Sequence, residues 1–409
     1  MALLDQQGTP APATGILPAP ATRDPRESMT VLPGFLQFPL TILTGKALPG
    51  QRSPGWTPTF HLVTATTSMA AGVLISTLAY ALGGPFLLLL AAGWAVTLHG
   101  MRNLRMMIYH QCSHRNMYRR RSPDRAMGHA VSSLLIIQNF QRYSREHVSD
   151  HHALDHMTLK DPTVQAFLVS LDLHPGMTRR RMWRRLLGKL ASPRFHFAFA
   201  VSRARSFWNE SARTEKVAAV TLYGTLALVT AATGTWPALL VVWFVPLVPL
   251  FQVSNTLRLC VKHTFPEPSL EDRRSRAYFA SLTNAIFLGD PAPAPQMPAA
   301  RRALAWTRWT LRLLFVHAPS RYLVLTGDTV VHDFHHRHPR AANWPNYVFA
   351  RQEDAERLAP GQPPYHEVWG LVPAISHVFD SLAAADPEEF DVDRLRSVSK
   401  RELFAAFDD

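Results

Sequence analysis

Four stretches without a formally charged residue, each of a length suited to crossing a lipid bilayer as a helix, constrain this chain more than any other feature of its sequence. The first runs from Leu62 to Leu82 ("LVTATTSMAAGVLISTLAYAL"), and the second follows the turn Gly83-Gly84-Pro85 and reaches Met101, interrupted only by His99. The third covers Val217 to Gly234, and beyond Thr235-Trp236-Pro237 the fourth continues from Ala238 to Leu257. A helix of about 20 apolar residues crosses the hydrocarbon core, where only helices and closed barrels satisfy their own backbone. The pattern predicts an all-α membrane protein with four transmembrane helices in two hairpins. Pro246 and Pro249 predict a kink in the last helix.

Charge gives an orientation. Between the two hairpins the chain is rich in arginine, including "RNMYRRR" and "TRRRMWRR", whereas the short turns within each hairpin carry no lysine or arginine. Basic loops stay on the cytoplasmic side, so the large loops are expected there. This also accounts for the net charge of +13. No nucleic-acid-binding module accompanies that charge, and no nucleic acid is expected as a partner. The two cysteines, Cys112 and Cys260, are too few for a disulfide framework. Residues 1–55, rich in Pro and Ala, read as a largely disordered tail without the basic start of a signal peptide. Residues 56–385 read as the membrane domain, and residues 386–409 as a soluble helical tail.

Histidines gather in three places. "HQCSH" holds His110 and His114, "HVSDHH" holds His147, His151 and His152, and "HDFHH" holds His332, His335 and His336. On a helix, residues three or four apart share a face, so each cluster can aim its rings at one spot. An adjacent His-His pair widens the spread and lets one segment serve two ions. All three clusters lie on the same expected side of the membrane and can converge. Eight imidazoles exceed what one ion binds, and imidazole alone suits zinc, copper, nickel or iron. His61, His174, His196, His317, His366 and His377 stand alone and read as ordinary polar residues. His129, His156 and His338 sit near the clusters but outside their spacing.

The order HxxxH, HxxxHH and HxxHH, with two membrane hairpins before the last box, resembles the membrane fatty acid desaturase superfamily, which includes hydroxylases and ketolases. The resemblance covers roughly Leu62 to Arg351. It implies a cytosolic helical cap holding a histidine-rich di-iron site, with two non-haem irons bound by the eight box histidines. A further ligand is implied in a segment similar to RxxxEH. Here that stretch is "RLCVKH", which places His263 correctly but puts Lys262 where an acid is common. Asp150, Asp328 and Asp333 lie beside the boxes or one helical turn away, and a carboxylate that accepts an imidazole N–H fixes its tautomer. These three are candidates for orienting the rings.

What the resemblance implies chemically is dioxygen activation at two irons and hydrogen abstraction from an acyl chain, carried by a lipid, coenzyme A or a carrier protein. Loss of a second hydrogen gives an alkene. Insertion of oxygen instead makes a hydroxylase or ketolase of an acyl lipid or carotenoid, the alternative reading. No flavin or nicotinamide motif is apparent, so an external donor such as ferredoxin, cytochrome b5 or a reductase is expected. "MGHAVSSLLIIQNF" is apolar yet short, and predicts an interfacial helix over Ala126 to Tyr143. A transporter would require ionisable groups along its spans, and His99 alone is a poor pathway.

Overall fold

The computed structural model describes residues 24–148, 156–267, 276–360 and 362–395 and is mostly helical. Four of its helices are long and apolar enough to cross a membrane: Pro58–Leu82, Gly84–Ser113, Arg213–Ala232 and Trp236–Lys262. Their sequences explain their bounds. Thr57 accepts the Phe60 N–H and caps the first, Pro58 sits where no N–H is needed, and Gly83 ends it with a positive φ of 64°.

The second long helix has 30 residues and the fourth has 27. At 1.5 Å per residue they measure about 45 and 40 Å, longer than a hydrocarbon core of about 30 Å. His110 lies one turn from the end of the second, and Lys262 ends the fourth. Both helices contain π-type turns, at Leu104–Tyr109 in the second and at Leu240–Phe244 and Pro246–Leu250 in the fourth. Both prolines expected to kink the fourth helix lie in its Pro246–Leu250 π turn, where the wider ring accommodates the missing donors.

The first two long helices touch backbone to backbone. A methyl group at Gly100 would lie 2.4 Å from the Met69 amide nitrogen, and one at Gly72 would lie 2.2 Å from that of Thr97. Small residues allow this approach. Gly100→Val is therefore expected to cost about 1–3 kcal/mol or more through overpacking. Thermal unfolding in detergent checks this, and an unchanged midpoint would contradict the contact. Trp94 Nε1 donates to the Val241 carbonyl at 2.8 Å, tying the second helix to the fourth. Trp243 Nε1 donates to the Tyr223 hydroxyl at 3.3 Å, tying the fourth to the third.

Around the ends of the second and fourth helices the remaining elements close a core. A two-stranded parallel sheet pairs Ala285–Phe287 with Glu367–Trp369, and helix Leu371–Ala384 packs against the fourth long helix. Ile286, Phe287, Val378 and Phe379 are fully buried there.

Three expectations change. The described part of residues 1–55 is ordered from Asp24 onward, with helices Pro25–Ser28 and Gly34–Thr44. Its anchor is Arg26, 1% exposed, which donates to the Lys46 and Gln37 carbonyls, Gln37 Oε1 and Thr41 Oγ1. A guanidinium whose donors are satisfied this way can be buried, and composition does not reveal that. The interfacial helix expected over Ala126 to Tyr143 is two helices, Arg121–Leu135 and Phe140–Arg145, broken where Ile136 adopts φ 50°. Phe140 folds back onto Gly128, where a Cβ would be 2.3 Å from its ring. At the other end, Phe390 and Leu395 of the expected soluble tail are buried in the core.

Candidate metal centre

Seven of the predicted ligands converge in two groups: His110, His114, His147 and His335 in one, and His263, His332 and His336 in the other, with the ligand atoms of each within 4.8 Å of one another. His110 and His114 leave the end of the second long helix one turn apart. His147 follows helix Phe140–Arg145, and His263 directly follows the fourth long helix. Helix His332–Arg337 serves both groups. His332 and His336 are one turn apart and face the second group, while His335, adjacent to His336, turns to the first. The His-His pair thus divides between two centres.

The separations, which neutral imidazoles can span by N–H···N hydrogen bonds, also suit ligands of a shared ion. His110 Nε2 and His147 Nε2 are 2.8 Å apart, and His332 Nε2 lies 3.2 Å from both His263 Nε2 and His336 Nε2. Nitrogens about 2.1 Å from a shared ion stand about 3 Å apart at adjacent corners. The His110 and His335 ring centroids are 4.3 Å apart, and the His332 and His335 centroids 5.8 Å, so the two groups are neighbours.

A family model described as fatty acid desaturase matches residues 85–369, which contain all three boxes and His263. The chain belongs to the fatty acid desaturase family. No curated protein and no solved structure matches it. Iron is the metal this family uses, and the donor set fits it: imidazoles in two adjacent clusters, six of the seven rings buried.

Other predicted residues of this desaturase-family chain fall as follows. Asp150, His151 and His152 lie outside the described residues. Asp328 accepts from Gln111 Nε2 at 3.1 Å, and its carboxylate is 3.9 Å from His110 Nδ1. Burial pushes the Asp328 carboxyl up to about 6, against the opposing pull of Gln111 and nearby arginines. Its place beside the four-histidine group predicts that Asp328→Asn lowers iron affinity by about 10-fold or more. Chelator competition on the purified protein measures this, and unchanged retention would contradict it. Asp333 is engaged differently from the sequence expectation. It accepts the Phe334 N–H at 2.8 Å and pairs with Arg351 at 3.1 Å, so it fixes the helix that bears the third box rather than a ring.

Two further side chains lie against the groups, the first of them a residue the sequence left between a supporting and a surface role. His156 is 1% exposed, with its ring centroid 4.7 Å from that of His263 and 5.1 Å from that of His336. Its place four residues beyond His152 was the available signal. Tyr143 stacks on His147 at 5.1 Å with planes 14° apart, and the Arg105 guanidinium lies 4.3 Å from the Tyr143 ring centre. The solitary histidines do not join either group. His61 contacts the Pro345 carbonyl at 2.7 Å, His99 that of Tyr322 at 2.8 Å, and His317 the Asp290 carboxylate at 2.9 Å.

Proposed function

We propose that the protein is an O2-dependent di-iron desaturase that introduces a C=C bond into an acyl chain carried by a lipid, coenzyme A or a carrier protein. The observation that carries this reading is the pair of imidazole groups at the ends of two long apolar helices, in a chain of the fatty acid desaturase family. Bound iron would activate dioxygen, the oxidant, which with two electrons from the external donor takes up the two hydrogens lost from the acyl chain as water. His110, His114, His147 and His335 would hold one ion, and His263, His332 and His336 the other, with His151 and His152 completing the set. The chain's own work is to hold these rings, exclude water and position the substrate. Buried rings and the apolar core around them serve the first two tasks.

An apolar cavity of 420 Å³, whose lining includes none of the seven histidines, matches an acyl chain in character. Leu135, Phe199, Phe207, Val220 and Leu247 line it, within the size range of small-molecule sites. Its polar side chains are turned aside: Arg203 donates to the Ile136 and Leu247 carbonyls, and the Tyr223 hydroxyl to that of Leu134. A second cavity of 500 Å³ is lined by Arg115, Arg121, Arg125 and Arg145 together with Asp124 and Glu210, an excess of positive charge that suits an anionic head group or carrier.

In this reading the long helices pass the membrane several times as two hairpins. Their histidine-bearing ends and the helices around them form a cap on the arginine-rich, cytoplasmic side. Residues 56–385 are the catalytic domain, and electrons come from a separate ferredoxin, cytochrome b5 or reductase. Mass spectrometry of lipids and acyl thioesters from expressing cells, with and without oxygen, tests the reaction. Loss of two hydrogens from an acyl species in air alone is expected. A gain of one oxygen would make the protein a hydroxylase, and no change in any species would overturn both readings.

A further inference from the structure

Residues 299–324, "AARRALAWTRWTLRLLFVHAPSRYLV", form an almost unbroken helical segment, helix Ala299–Arg312 continuing through π turns Leu313–His317 and Ser320–Val324. The segment contains five arginines and no acid, too much charge for a span. One side is packed: Trp309 is buried with Met29 and Leu40, and its indole donates to the Asp290 carbonyl at 2.8 Å. The opposite side leaves large apolar residues in the open. Leu304 is 70% exposed, Leu311 50% and Phe315 72%, at spacings of seven and four that keep them on one stripe. Helix Gly34–Thr44, which supplies Leu40 to the packed side, leaves Phe35 78% exposed.

The far end of the segment is fixed against the long helices. His99 Nδ1 contacts the Tyr322 carbonyl at 2.8 Å, and Ser254 Oγ donates to the carbonyl of Leu323. His99 precedes His110 by eleven residues, and Ser254 precedes His263 by nine. At 1.5 Å per residue these contacts lie about 16 and 13 Å below the metal groups, toward the middle of the long helices. The far end of the segment therefore lies beside the middle parts of two long apolar helices, while Leu304, Leu311 and Phe315 stay exposed.

We propose that residues 299–324, with helix Gly34–Thr44, are a membrane-surface anchor that seats Leu304, Leu311 and Phe315 among acyl chains and pairs Arg301 and Arg308 with anionic phospholipid head groups. Two observations select this occupant. The stripe belongs to a segment tied at His99 and Ser254 to two helices that are themselves long and apolar enough to cross a membrane. The charge is of one sign, and neither Arg301 nor Arg308 meets an acidic partner among the described residues, whereas Arg312 is spent on Asp290. An apolar face flanked by arginine and tryptophan is the composition of helices that lie in the interface. The anchor ends eight residues before His332, so it also fixes where the third box enters the core.

The test uses the full chain in nanodiscs of phosphatidylcholine with or without phosphatidylglycerol, carrying a nitroxide at Leu311→Cys or Phe315→Cys, and at Glu356→Cys as an aqueous control. The two native cysteines are buried. Labels at 311 and 315 are expected to relax with lipid-dissolved oxygen and to be shielded from a water-soluble nickel chelate, unlike the label at 356. Equal exposure of all three to the chelate would overturn the proposal. Spin–spin broadening between chains at 311 would assign the stripe to a second copy and overturn it equally. In a second arm, phosphatidylglycerol enrichment in purified protein is expected to be lost in the double variant Arg301→Gln, Arg308→Gln. Enrichment undiminished in that variant would overturn the head-group pairing. Neither arm depends on turnover.

Discussion

Replacing His335 by alanine is expected to abolish the unsaturated product while the protein still inserts into membranes. His335 is the one residue of helix His332–Arg337 that turns to the four-histidine group, and its ring lies 4.3 and 4.8 Å from those of His110 and His114. Its loss leaves three imidazoles at that group and removes the link between the two. Loss even of a residue that only supports a ligand costs about 10–100-fold in metal affinity or activity, so removal of a ligand is expected to exceed about 100-fold. The readout is the ratio of unsaturated to saturated acyl species per unit of membrane-inserted protein. A variant with wild-type product would remove His335 from the ligand set.

The largest stability effect is expected at Arg351, fifteen residues beyond the third histidine box. Its guanidinium is 2% exposed and reaches Asp333 at 3.1 Å and Glu367 at 2.6 Å, joining helix Tyr347–Glu356 to the third-box helix and to the sheet. Asp333 itself is 1% exposed. Burial raises the Asp333 carboxyl above its ordinary value, opposed by Arg351, and Arg351 is held above its own by Asp333 and Glu367 against burial. Breaking a buried pair from one side strands the other charge and costs about 3–5 kcal/mol. Arg351→Met is therefore expected to lower the unfolding midpoint sharply. Adding Asp333→Asn removes the stranded charge and is expected to restore much of the loss. Because Asp333 is next to His332, the single variant should also lose iron from the three-histidine group. An unchanged midpoint in Arg351→Met would show that the pair does not hold this helix.

The parts legible in sequence were those encoded by local pattern. Uncharged runs bounded by Gly83-Gly84-Pro85 and Thr235-Trp236-Pro237 mark the four long helices, and spacings of three and four mark the boxes. The parts missed were set by distant partners. Arg102 and Arg105 read as the end of the second apolar run, yet the helix continues through them to Ser113, because Arg102 donates to Asn255 at 2.7 Å and Arg105 lies over Tyr109 and Tyr143. Asp333 adjoins a histidine in sequence, but its charge belongs to Arg351, eighteen residues on. Arg26 lies in a stretch whose composition resembles disorder, and only the tertiary position of Gln37, Thr41 and Lys46 makes it a buried anchor. His156 falls outside the box spacing and reaches His263 only through the fold.

Metal analysis of the purified chain, by inductively coupled plasma mass spectrometry against quantitative amino-acid analysis, tests the central claim most directly. Two separate imidazole groups predict two iron ions per chain, falling toward one on replacing either His335 or His336 by alanine. One ion per chain, or two ions that neither substitution reduces, would contradict the assignment of these histidines to a two-iron centre.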